Sequence, residues 1–450
     1  MLKISTNTIK LKDNKSYCPV CLEVVESNIV ERNGKIYLDI YCPNHGTFRK
    51  LHKWGNPKYY KSMNRPEIEN MDRCPMALLI DTNYDCNQNC NFCYAHANER
   101  KEANPTIAEI IDQVENFRGI RIMLSGGEPT LREDLPIIIR EIKKRKFIVT
   151  ILSNGKKLVD KSYVNKLKKA GLDNVQLQLD SLDDSHCEFI RNEKLTDLKI
   201  KVVHNLKEAK ISIDLFVPLI KGLNDNQIKN IITFAAQNSS VIKIVFFIPM
   251  WVEGRIIEHD SITSEEIIKI LQSEYNMDED AFMDYAKLDF LISLFYRRLT
   301  NKPFFKYQPC TVNYLFFYIQ KSVIPLSEII DLKKLNNFLE CLCESLCEKA
   351  VFKKFFSLLR TTCLFSKEVL LCKKIRPFIF TLLRTLLSHI IFGTPPVIKD
   401  NYSFQVRVEG FFDRNNSDFR MFRHCNLRVN FQDESLAFCQ SEIARKKYVK

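Results

Sequence analysis

A short polar loop carries the residues with the clearest chemical potential. Cys86, Cys90 and Cys93 are separated by three and then two residues, directly after an apolar run at 76–80 that predicts a buried strand. Three thiolates can hold three irons of a [4Fe–4S] cube and leave the fourth iron open for a small ligand. Zinc is the alternative, but it requires a fourth protein ligand close by, and only His96 offers one. The spacing therefore favours an iron–sulfur cluster.

A second group of metal-ligand residues lies near the N-terminus. Two pairs, Cys18-Pro-Val-Cys21 and Cys42-Pro-Asn-His45, flank a strand-like stretch at 35–41. Such pairs bring four ligands to one tetrahedral centre, as in a zinc ribbon or a rubredoxin-like iron site, and one His among three Cys favours zinc. The metal would hold together a segment too small to fold alone. Nucleic-acid binding is not favoured, because few basic and aromatic residues alternate here.

The elements that must position the cysteine loop alternate between strands and helices from Met76 to about Met250. This alternation predicts a parallel sheet with crossover helices. We predict strands at 76–83, 121–124, 147–152, 174–179, 211–217 and 242–248, and helices at 106–117, 133–144, 160–170, 196–210 and 225–238. In such folds the chemistry lies at the C-terminal ends of the strands.

Polar residues follow three of the predicted strands. After the second strand come Gly126, Gly127 and Glu128, where the glycines let the backbone approach a ligand and Glu128 supplies a carboxylate for a cation. After the third strand, Asn154 could contact a ligand or form a turn that starts a helix. After the fourth, Asp180 could contact a ligand or serve as the N-cap of the next turn.

Together these features resemble the radical S-adenosylmethionine (radical SAM) superfamily. The matching patterns are the spacing of the three cysteines, Phe92 before the last of them, the Gly-Gly-Glu motif and a Ser-Asn-Gly turn. The resemblance implies a partial (β/α)6 barrel whose [4Fe–4S] cluster chelates SAM through the open iron and donates an electron to the sulfonium. The resulting 5′-deoxyadenosyl radical then abstracts hydrogen from an unactivated C–H bond. An electron donor of the ferredoxin or flavodoxin type is implied as well.

The resemblance also implies SAM-binding roles outside the cysteines. The Gly-Gly-Glu motif would bind the amino group of the methionine part of SAM, and other residues would contact its adenine, ribose or carboxylate, or the substrate. No side chain is assigned as a catalytic base, because the nucleoside radical removes the hydrogen. The cofactor-binding residues are therefore Cys86, Cys90, Cys93, Tyr94, Gly126, Gly127, Glu128, Asn154 and Asp180.

Three isolated cysteines lie beyond the predicted barrel. Cys310, Cys425 and Cys439 could form an auxiliary iron–sulfur site, with His424 or the substrate at the fourth iron. The alternative is that each is a small buried hydrophobic residue, as free cysteines often are.

The whole layout resembles an archaeal radical SAM subgroup that includes tetraether lipid synthase and pterin methyltransferase-like proteins. The matching patches are the ribbon, Ser-Gly-Gly-Glu-Pro-Thr, the stretch from Cys310 to Ile324-Pro-Leu, and the terminal Arg-x-Cys and Phe-Cys pairs. The subgroup implies a further cluster between ribbon and barrel. Only Cys74 stands there in this chain, so we predict that this cluster is absent.

The segment from Phe338 to Phe392 matches no motif and is rich in Leu, Phe, Ile and Cys. Between positions 349 and 399 ten Lys or Arg face one acid. Such helices can lie on an anionic membrane surface, or they can be ordinary helices with a solvated basic face. Cys341, Cys343 and Cys347 fall in a helical pattern that favours core packing over a cluster.

The amino-acid composition limits the classes of protein to which this chain could belong. The 450 residues carry a formal net charge of +13, with 45% hydrophobic and 27% charged residues, which is compatible with a soluble globular protein and an anionic partner. Sixteen cysteines in short spacings, without a secretory signal, indicate metal binding in a reducing compartment. We therefore expect a cytoplasmic protein, peripheral to a membrane at most.

The predicted fold class is α/β, with three regions. Residues 1–70 form the metal ribbon, 71–255 the radical SAM barrel, and 256–450 a mostly helical region for substrate or auxiliary clusters. The leading functional hypothesis is hydrogen abstraction from a hydrophobic substrate such as a lipid chain, with C–C bond formation. The alternatives are radical SAM modification or methylation of a pterin, peptide or RNA, and a non-catalytic iron–sulfur sensor. Nucleic acid is not an expected partner.

Overall fold

The structure is a computed structural model, and it describes only part of the 450-residue chain. Tyr94, Cys74, His424 and Cys347 lie outside the described residues, as does most of the basic apolar segment predicted at 338–392. The described residues are 8–64, 75–93, 95–100, 102–250, 262–300, 310–345, 403–410, 417–419, 422, 425, 427–431 and 434–440.

Four antiparallel strands in chain order build the N-terminal module. They are β1 (Thr8–Tyr17), β2 (Val24–Arg32), β3 (Lys35–Cys42) and β4 (Gly46–Leu51). Ile36, Leu38 and Ile40 alternate along β3 and are fully buried, as a strand with one covered face requires. The two metal-ligand pairs fall in the β1–β2 and β3–β4 turns. Helix α1 (Pro57–Met63) follows, capped by the side chain of Asn56.

Six parallel strands and their crossover helices form the predicted partial (β/α)6 barrel. The strands are β5 (Ala77–Asn83), β6 (Arg121–Gly126), β7 (Ile148–Ser153), β8 (Asn174–Gln178), β9 (Ser212–Leu219) and β10 (Ile242–Pro249). The helices are α2 (Ile107–Glu115), α3 (Leu135–Lys144), α4 (Lys161–Ala170), α5 (Asp184–Arg191), α6 (Thr196–Glu208) and α7 (Ile228–Gln237). Every predicted strand and helix is present, and only α5 was not predicted.

The two faces of this sheet differ in burial. Neighbouring strands follow one another in chain order, so right-handed crossovers place the helices on one face. Residues directed at that face, such as Leu124, Ile151, Leu177 and Leu215, are fully buried. Residues that alternate with them are polar or only half-buried, so the opposite face is less apolar and less completely covered. We call this opposite face the concave face.

The C-terminal region contains helices, as predicted, and also strands that extend the sheet. Helices α8 (Ser264–Glu274), α9 (Ala281–Thr300) and α10 (Leu332–Ser345) accompany β11 (Thr311–Ile319), β12 (Ser322–Pro325), β13 (Ser403–Glu409), β14 (Leu427–Phe431) and β15 (Glu434–Ala437). Strand β13 lies between β10 and β11, and β14 pairs in parallel with β5. Across the described ranges, we find no helix both long and apolar enough to cross a membrane.

The ribbon packs against the C-terminal region. The imidazole Nε2 of His52 lies 3.4 Å from Oδ2 of Asp418, and both side chains are fully buried. The ring of Tyr17 packs 5.0 Å from the ring of Phe419. The backbone N–H of Asn56 donates to Glu265 at 2.6 Å. The predicted domain boundaries at 70 and 255 fall in segments outside the described residues and stay predictions.

Candidate active site and metal centres

The ribbon residues form a compact four-ligand group. The two Sγ atoms of Cys21 and Cys42 are 3.9 Å apart, and Nδ1 of His45 lies 3.4 Å from Cys42 Sγ and 3.7 Å from Cys18 Sγ. All four ligand atoms lie within 4.8 Å of one another. Tetrahedral zinc with Zn–S bonds of about 2.3 Å places two sulfurs about 3.8 Å apart. The four residues therefore fit one zinc-sized ion.

The cysteine loop follows β5 at the C-terminal end of the barrel. Cys86, Cys90 and Cys93 form no disulfide with another described cysteine, and their exposure is intermediate. Asn98 fixes the start of the loop, since its Oδ1 accepts from the N–H of Cys86 at 2.8 Å and its Nδ2 donates to the carbonyl at 3.1 Å. Burial raises the pKa of Cys86 to about 12 and also raises the pKa of Cys90. Thiolates at these positions need a positive partner, which iron supplies.

The two glycines of the Gly-Gly-Glu motif pack against the backbone of the cysteine loop. A Cβ at Gly126 would lie 2.1 Å from the carbonyl oxygen of Asn83, and one at Gly127 would lie 2.1 Å from that of Asp85. The N–H of Gly127 donates to Asn83 at 2.8 Å, and the N–H of Glu128 donates to Asp85 at 2.9 Å. The glycines thus permit close contact between two loops of the protein, a reason that the sequence did not indicate.

Four donors from the protein engage the carboxylate of Glu128, which is 1% exposed. Its Oε1 accepts from Thr130 N at 3.1 Å, Thr130 Oγ1 at 2.6 Å and Ser153 Oγ at 2.8 Å, and its Oε2 accepts from Asn154 N at 2.7 Å. Burial raises the pKa of this carboxyl, and these hydrogen bonds oppose the increase. Glu128 therefore joins the loops after β6 and β7, and its role with SAM stays a prediction.

Asn154 lies between the β7 loop and the first cysteine. Its Nδ2 donates to Sγ of Cys86 at 3.7 Å and to Oδ1 of Asn87 at 2.8 Å. Its Oδ1 accepts from the N–H of Lys156 at 2.9 Å, at the start of a short 3-10 helix. The residue therefore forms the helix-starting turn that the sequence left open and also contacts the predicted cluster ligand.

Asp180 forms a buried ion pair that connects to the cysteine loop. Both its carboxylate oxygens accept from Arg191, with the shortest contact 2.6 Å from Nη2 to Oδ1. Arg191 also donates to the carbonyl of Phe92 at 3.2 Å, and its charge lowers the pKa of Cys90 against the effect of burial. The N-cap alternative for Asp180 is wrong, because Asp183 caps α5 by accepting from Ser185 N.

Comparison with known proteins extends over both modules. The radical SAM superfamily model matches residues 80–235, and the HMPTM N-terminal zinc ribbon domain model matches residues 10–53. The 7,8-dihydro-6-hydroxymethylpterin dimethyltransferase of Methanocaldococcus jannaschii is 32% identical over 375 residues, which are 74% of this chain and 73% of that protein. The chain belongs to the radical SAM superfamily.

Two further proteins match only part of this radical SAM chain. The probable GTP 3′,8-cyclase of Pyrococcus abyssi is 29% identical over 40% of this chain and 58% of that protein, so this chain spans less than two thirds of its length. The crystal structure of Streptococcus suis SuiB bound to S-adenosylmethionine aligns with a TM-score of 0.40 and 21% identity over 46% of this chain and 48% of that one, which supports no argument about function.

Members of the radical SAM superfamily are enzymes that use a [4Fe–4S] cluster and SAM. The residues of this chain fit such a group, because three cysteines stand on one loop at the barrel end and the cation of Arg191 lies beside Cys90. The zinc ribbon prediction agrees with the matched N-terminal model. The individual ligands Cys86, Cys90 and Cys93 remain predictions, and Tyr94 lies outside the described residues.

The three auxiliary cysteines of the radical SAM chain lie on different elements. Cys310 precedes β11, and its carbonyl accepts from the N–H of Gly410 at 2.7 Å. Cys425 precedes β14 and donates to the carbonyl of Leu427 at 3.0 Å. Burial raises the pKa of both thiols, and Cys439 is buried as well. The auxiliary cluster stays a prediction.

The helical cysteines are only partly described. Cys343 is buried and donates to the carbonyl of Leu291 at 3.7 Å, which fits core packing, whereas Cys341 is exposed.

The sequence did not indicate two buried cations at this radical SAM centre. Arg191 ends α5, and Lys199 lies in α6 with its Nζ 2.6 Å from the carbonyl of Asn154. Burial lowers the pKa of Lys199 to about 8. A basic residue in an amphipathic helix normally faces solvent, so no sequence signal distinguished these two from their neighbours.

Proposed function

We propose that this radical SAM enzyme modifies a pterin, the substrate class named among the alternatives above. One observation carries the proposal: the similarity to the pterin dimethyltransferase extends across 74% of this chain and 73% of that protein. Similarity confined to the barrel would support only the shared radical chemistry. A second N-terminal match, to the HMPTM zinc ribbon, supports the same substrate class.

The residues of the chain have separable roles in this proposal. Cys86, Cys90 and Cys93 hold the cluster, and Arg191 balances negative charge beside Cys90. Glu128 fixes the Gly-Gly-Glu loop against the loop of Asn154. With both cofactors bound, the centre supplies reductive cleavage of SAM and the hydrogen abstraction that follows. The concave face of the sheet positions the substrate and excludes water.

The lipid hypothesis has less support. It depended on the basic apolar segment, most of which lies outside the described residues, and on a resemblance to the subgroup as a whole. The two relatives described above are named for a pterin and for GTP. Lipid C–C bond formation, membrane contact and the ferredoxin-type or flavodoxin-type donor therefore stay predictions.

An anaerobic turnover assay tests the proposal. Reconstituted protein is incubated with SAM, dithionite and 7,8-dihydro-6-hydroxymethylpterin, and both 5′-deoxyadenosine and pterin products are measured by mass spectrometry. We expect 5′-deoxyadenosine and a modified pterin, and a methylated product should be matched by S-adenosylhomocysteine from a second SAM that donates the methyl group. Cys90→Ala should abolish both, whereas Cys341→Ala, which removes an exposed thiol on α10, should leave both unchanged.

The outcomes separate the hypotheses. Absence of 5′-deoxyadenosine from protein with full iron content would favour the non-catalytic sensor. Formation of 5′-deoxyadenosine without any change in the pterin would exclude the pterin proposal. Lipid mass analysis of cells with and without the gene would then test the lipid hypothesis.

A further inference from the structure

The concave face of the barrel presents a row of polar side chains that the cofactor roles do not use. Gln176 of β8 is the register partner of Asp214 of β9, which in turn pairs with Ile244 of β10 and, through it, with Gln405 of β13. Register partners in a parallel sheet share a face. The intervening residues, among them Leu177 and Leu215, are fully buried under the helices. The row therefore lies on the concave face, opposite the helices.

Asp214 is the acid of this row, and its surroundings are unusual for a structural carboxylate. It is 8% exposed, and no ion pair reaches it among the described residues. Burial raises the pKa of its carboxyl, while Arg121, Arg407 and the amide of Asn174 oppose the increase. The two arginines are engaged elsewhere, Arg121 with Thr150 Oγ1 at 2.8 Å and Arg407 with Gln405 Oε1 at 2.9 Å.

Two further hydrogen-bond acceptors lie on β8, the strand next to this carboxylate. Oε1 of Gln176 and Oδ1 of Asn174 are buried without a partner among the described residues, and these side chains are 7% and 5% exposed. A buried acceptor without a donor costs about 1–3 kcal/mol. Three acceptors on neighbouring strands therefore fit a ligand that brings N–H donors.

An aromatic row lies above the polar one, toward the cysteine loop. Phe216 pairs in register with Gln178 on one side and with Phe246 on the other. The guanidinium of Arg407 lies 5.2 Å from the centroid of Phe246. Gln178 in turn donates to Asp180, which pairs with Arg191 beside Cys90. A flat heteroaromatic ring resting on the phenylalanines would thus reach from Asp214 toward the cluster loop.

We propose that Asp214 is a specificity-determining residue that accepts the ring N–H and the exocyclic amino group of a 2-amino-4-oxopyrimidine ring. Two adjacent N–H donors match the two oxygens of one carboxylate, and Phe216 and Phe246 provide the stacking surface. This ring is the part that a pterin and a guanine have in common. The inference rests on the proposed function, because it takes the pterin as the substrate. It identifies the edge of the ring that Asp214 recognises.

Analogue binding to the unaltered holoenzyme is the first test. With SAM bound, 6-hydroxymethylpterin and 6-hydroxymethyl-lumazine, in which an oxo group replaces the 2-amino group, are compared by quenching of ligand fluorescence. The 2-oxo group of the lumazine is a hydrogen-bond acceptor, and it would lie opposite the carboxylate of Asp214, which is also an acceptor. We expect the lumazine to bind about 10- to 100-fold more weakly. Equal affinities would overturn the inference and leave the proposed function standing.

The Asp214→Asn variant is the second test, with Asp173→Asn as its matched control. Asp173 lies just before β8, outside the concave-face row, and its side chain is 38% exposed. Asp214→Asn should weaken pterin binding about 10- to 100-fold and remove the preference over lumazine, whereas Asp173→Asn should keep both. Unchanged discrimination in Asp214→Asn would contradict the inference, and a variant that fails to fold leaves the analogue test decisive.

Guanosine and xanthosine separate this inference from the proposed function. Xanthosine carries an oxo group in place of the 2-amino group of guanosine. Preferential binding of guanosine that depends on Asp214, without any binding of pterin, would uphold the ring recognition and exclude the pterin substrate. Failure of the holoenzyme to bind any of the four compounds would overturn the inference.

Discussion

Arg191 donates two short hydrogen bonds to the carboxylate of Asp180, from Nη2 to Oδ1 at 2.6 Å and from Nε to Oδ2 at 3.0 Å. The carboxylate side chain is fully buried and that of the arginine is 9% exposed. Since Arg191 also donates to the carbonyl of Phe92, this pair connects β8 and α5 to the cysteine loop. The geometry of the loop therefore depends on a residue nearly 100 positions away in the sequence.

Removing the cation should be costly. Arg191→Met leaves the buried carboxylate of Asp180 without its ion-pair partner, and we expect the free energy of unfolding to fall by about 3–5 kcal/mol. Chemical denaturation measures the free energy of unfolding. The iron content after reconstitution shows whether the cysteine loop still binds a cluster. Glu208→Gln breaks the exposed pair with Lys161 and should leave the free energy of unfolding nearly unchanged, because solvent screens exposed ion pairs. The double variant Asp180→Leu/Arg191→Met should recover most of the loss, and no recovery would show that the pair acts through other contacts.

The packing of Gly127 predicts a steric effect that is independent of backbone strain. A Cβ there would meet the Asp85 carbonyl at 2.1 Å, a contact that neither backbone can relieve by a rotamer change. We expect Gly127→Ala to reduce iron incorporation and melting temperature together. Gly222→Ala is the control, since its Cβ would meet nothing within 4 Å although φ is +71°. It should cost about 1 kcal/mol through strain alone and leave the iron content unchanged.

The repeating part of the fold was predictable from sequence for a physical reason. Each barrel unit contains a buried strand and an amphipathic helix, so the periodicity of residues a few positions apart determines both. Helix α5 escaped prediction because it is short and its apolar residues include Phe189, which is 57% exposed. Arg191, the last residue of α5, was not predicted as a residue of the site for the same reason.

Contacts between distant segments could not be predicted in this way. Strand β13 enters the sheet beside β10 after an interval of more than 150 residues, and no local pattern encodes that pairing. The surroundings of Asp214 could not be predicted for the same reason, because only this insertion brings the charge of Arg407 close enough to oppose the rise in its pKa. The Gly-Gly-Glu motif could be recognised from the sequence, but its packing against Asn83 and Asp85 could not be predicted from it.

Metal removal should affect more than the ribbon. The module contacts the C-terminal region through the buried His52–Asp418 pair and the Tyr17–Phe419 rings. Cys42→Ser should lose about one zinc per chain and lower the melting temperature of the entire protein, because metal-binding energy is folding energy. Metal analysis and calorimetry measure the two effects. Cys341→Ala keeps the zinc, and a Cys42→Ser protein that melts like the unaltered one would show that the module folds independently.

Lys199 predicts a pH dependence of stability with a defined sign. Burial lowers its pKa from 10.5 to about 8, so between these values the unfolded chain binds more protons than the folded one. The contribution of Lys199 to stability therefore increases as pH rises from 8 to 10.5, by about 3 kcal/mol, and is lost as pH falls through 8. Unfolding of the unaltered protein and Lys199→Met, compared across this range, isolates the effect from other titrating groups. The difference should change with pH for Lys199→Met and stay constant for Lys166→Met, a substitution at an exposed lysine of α4. A pH-independent difference at both positions would mean that Lys199 remains charged in the folded protein.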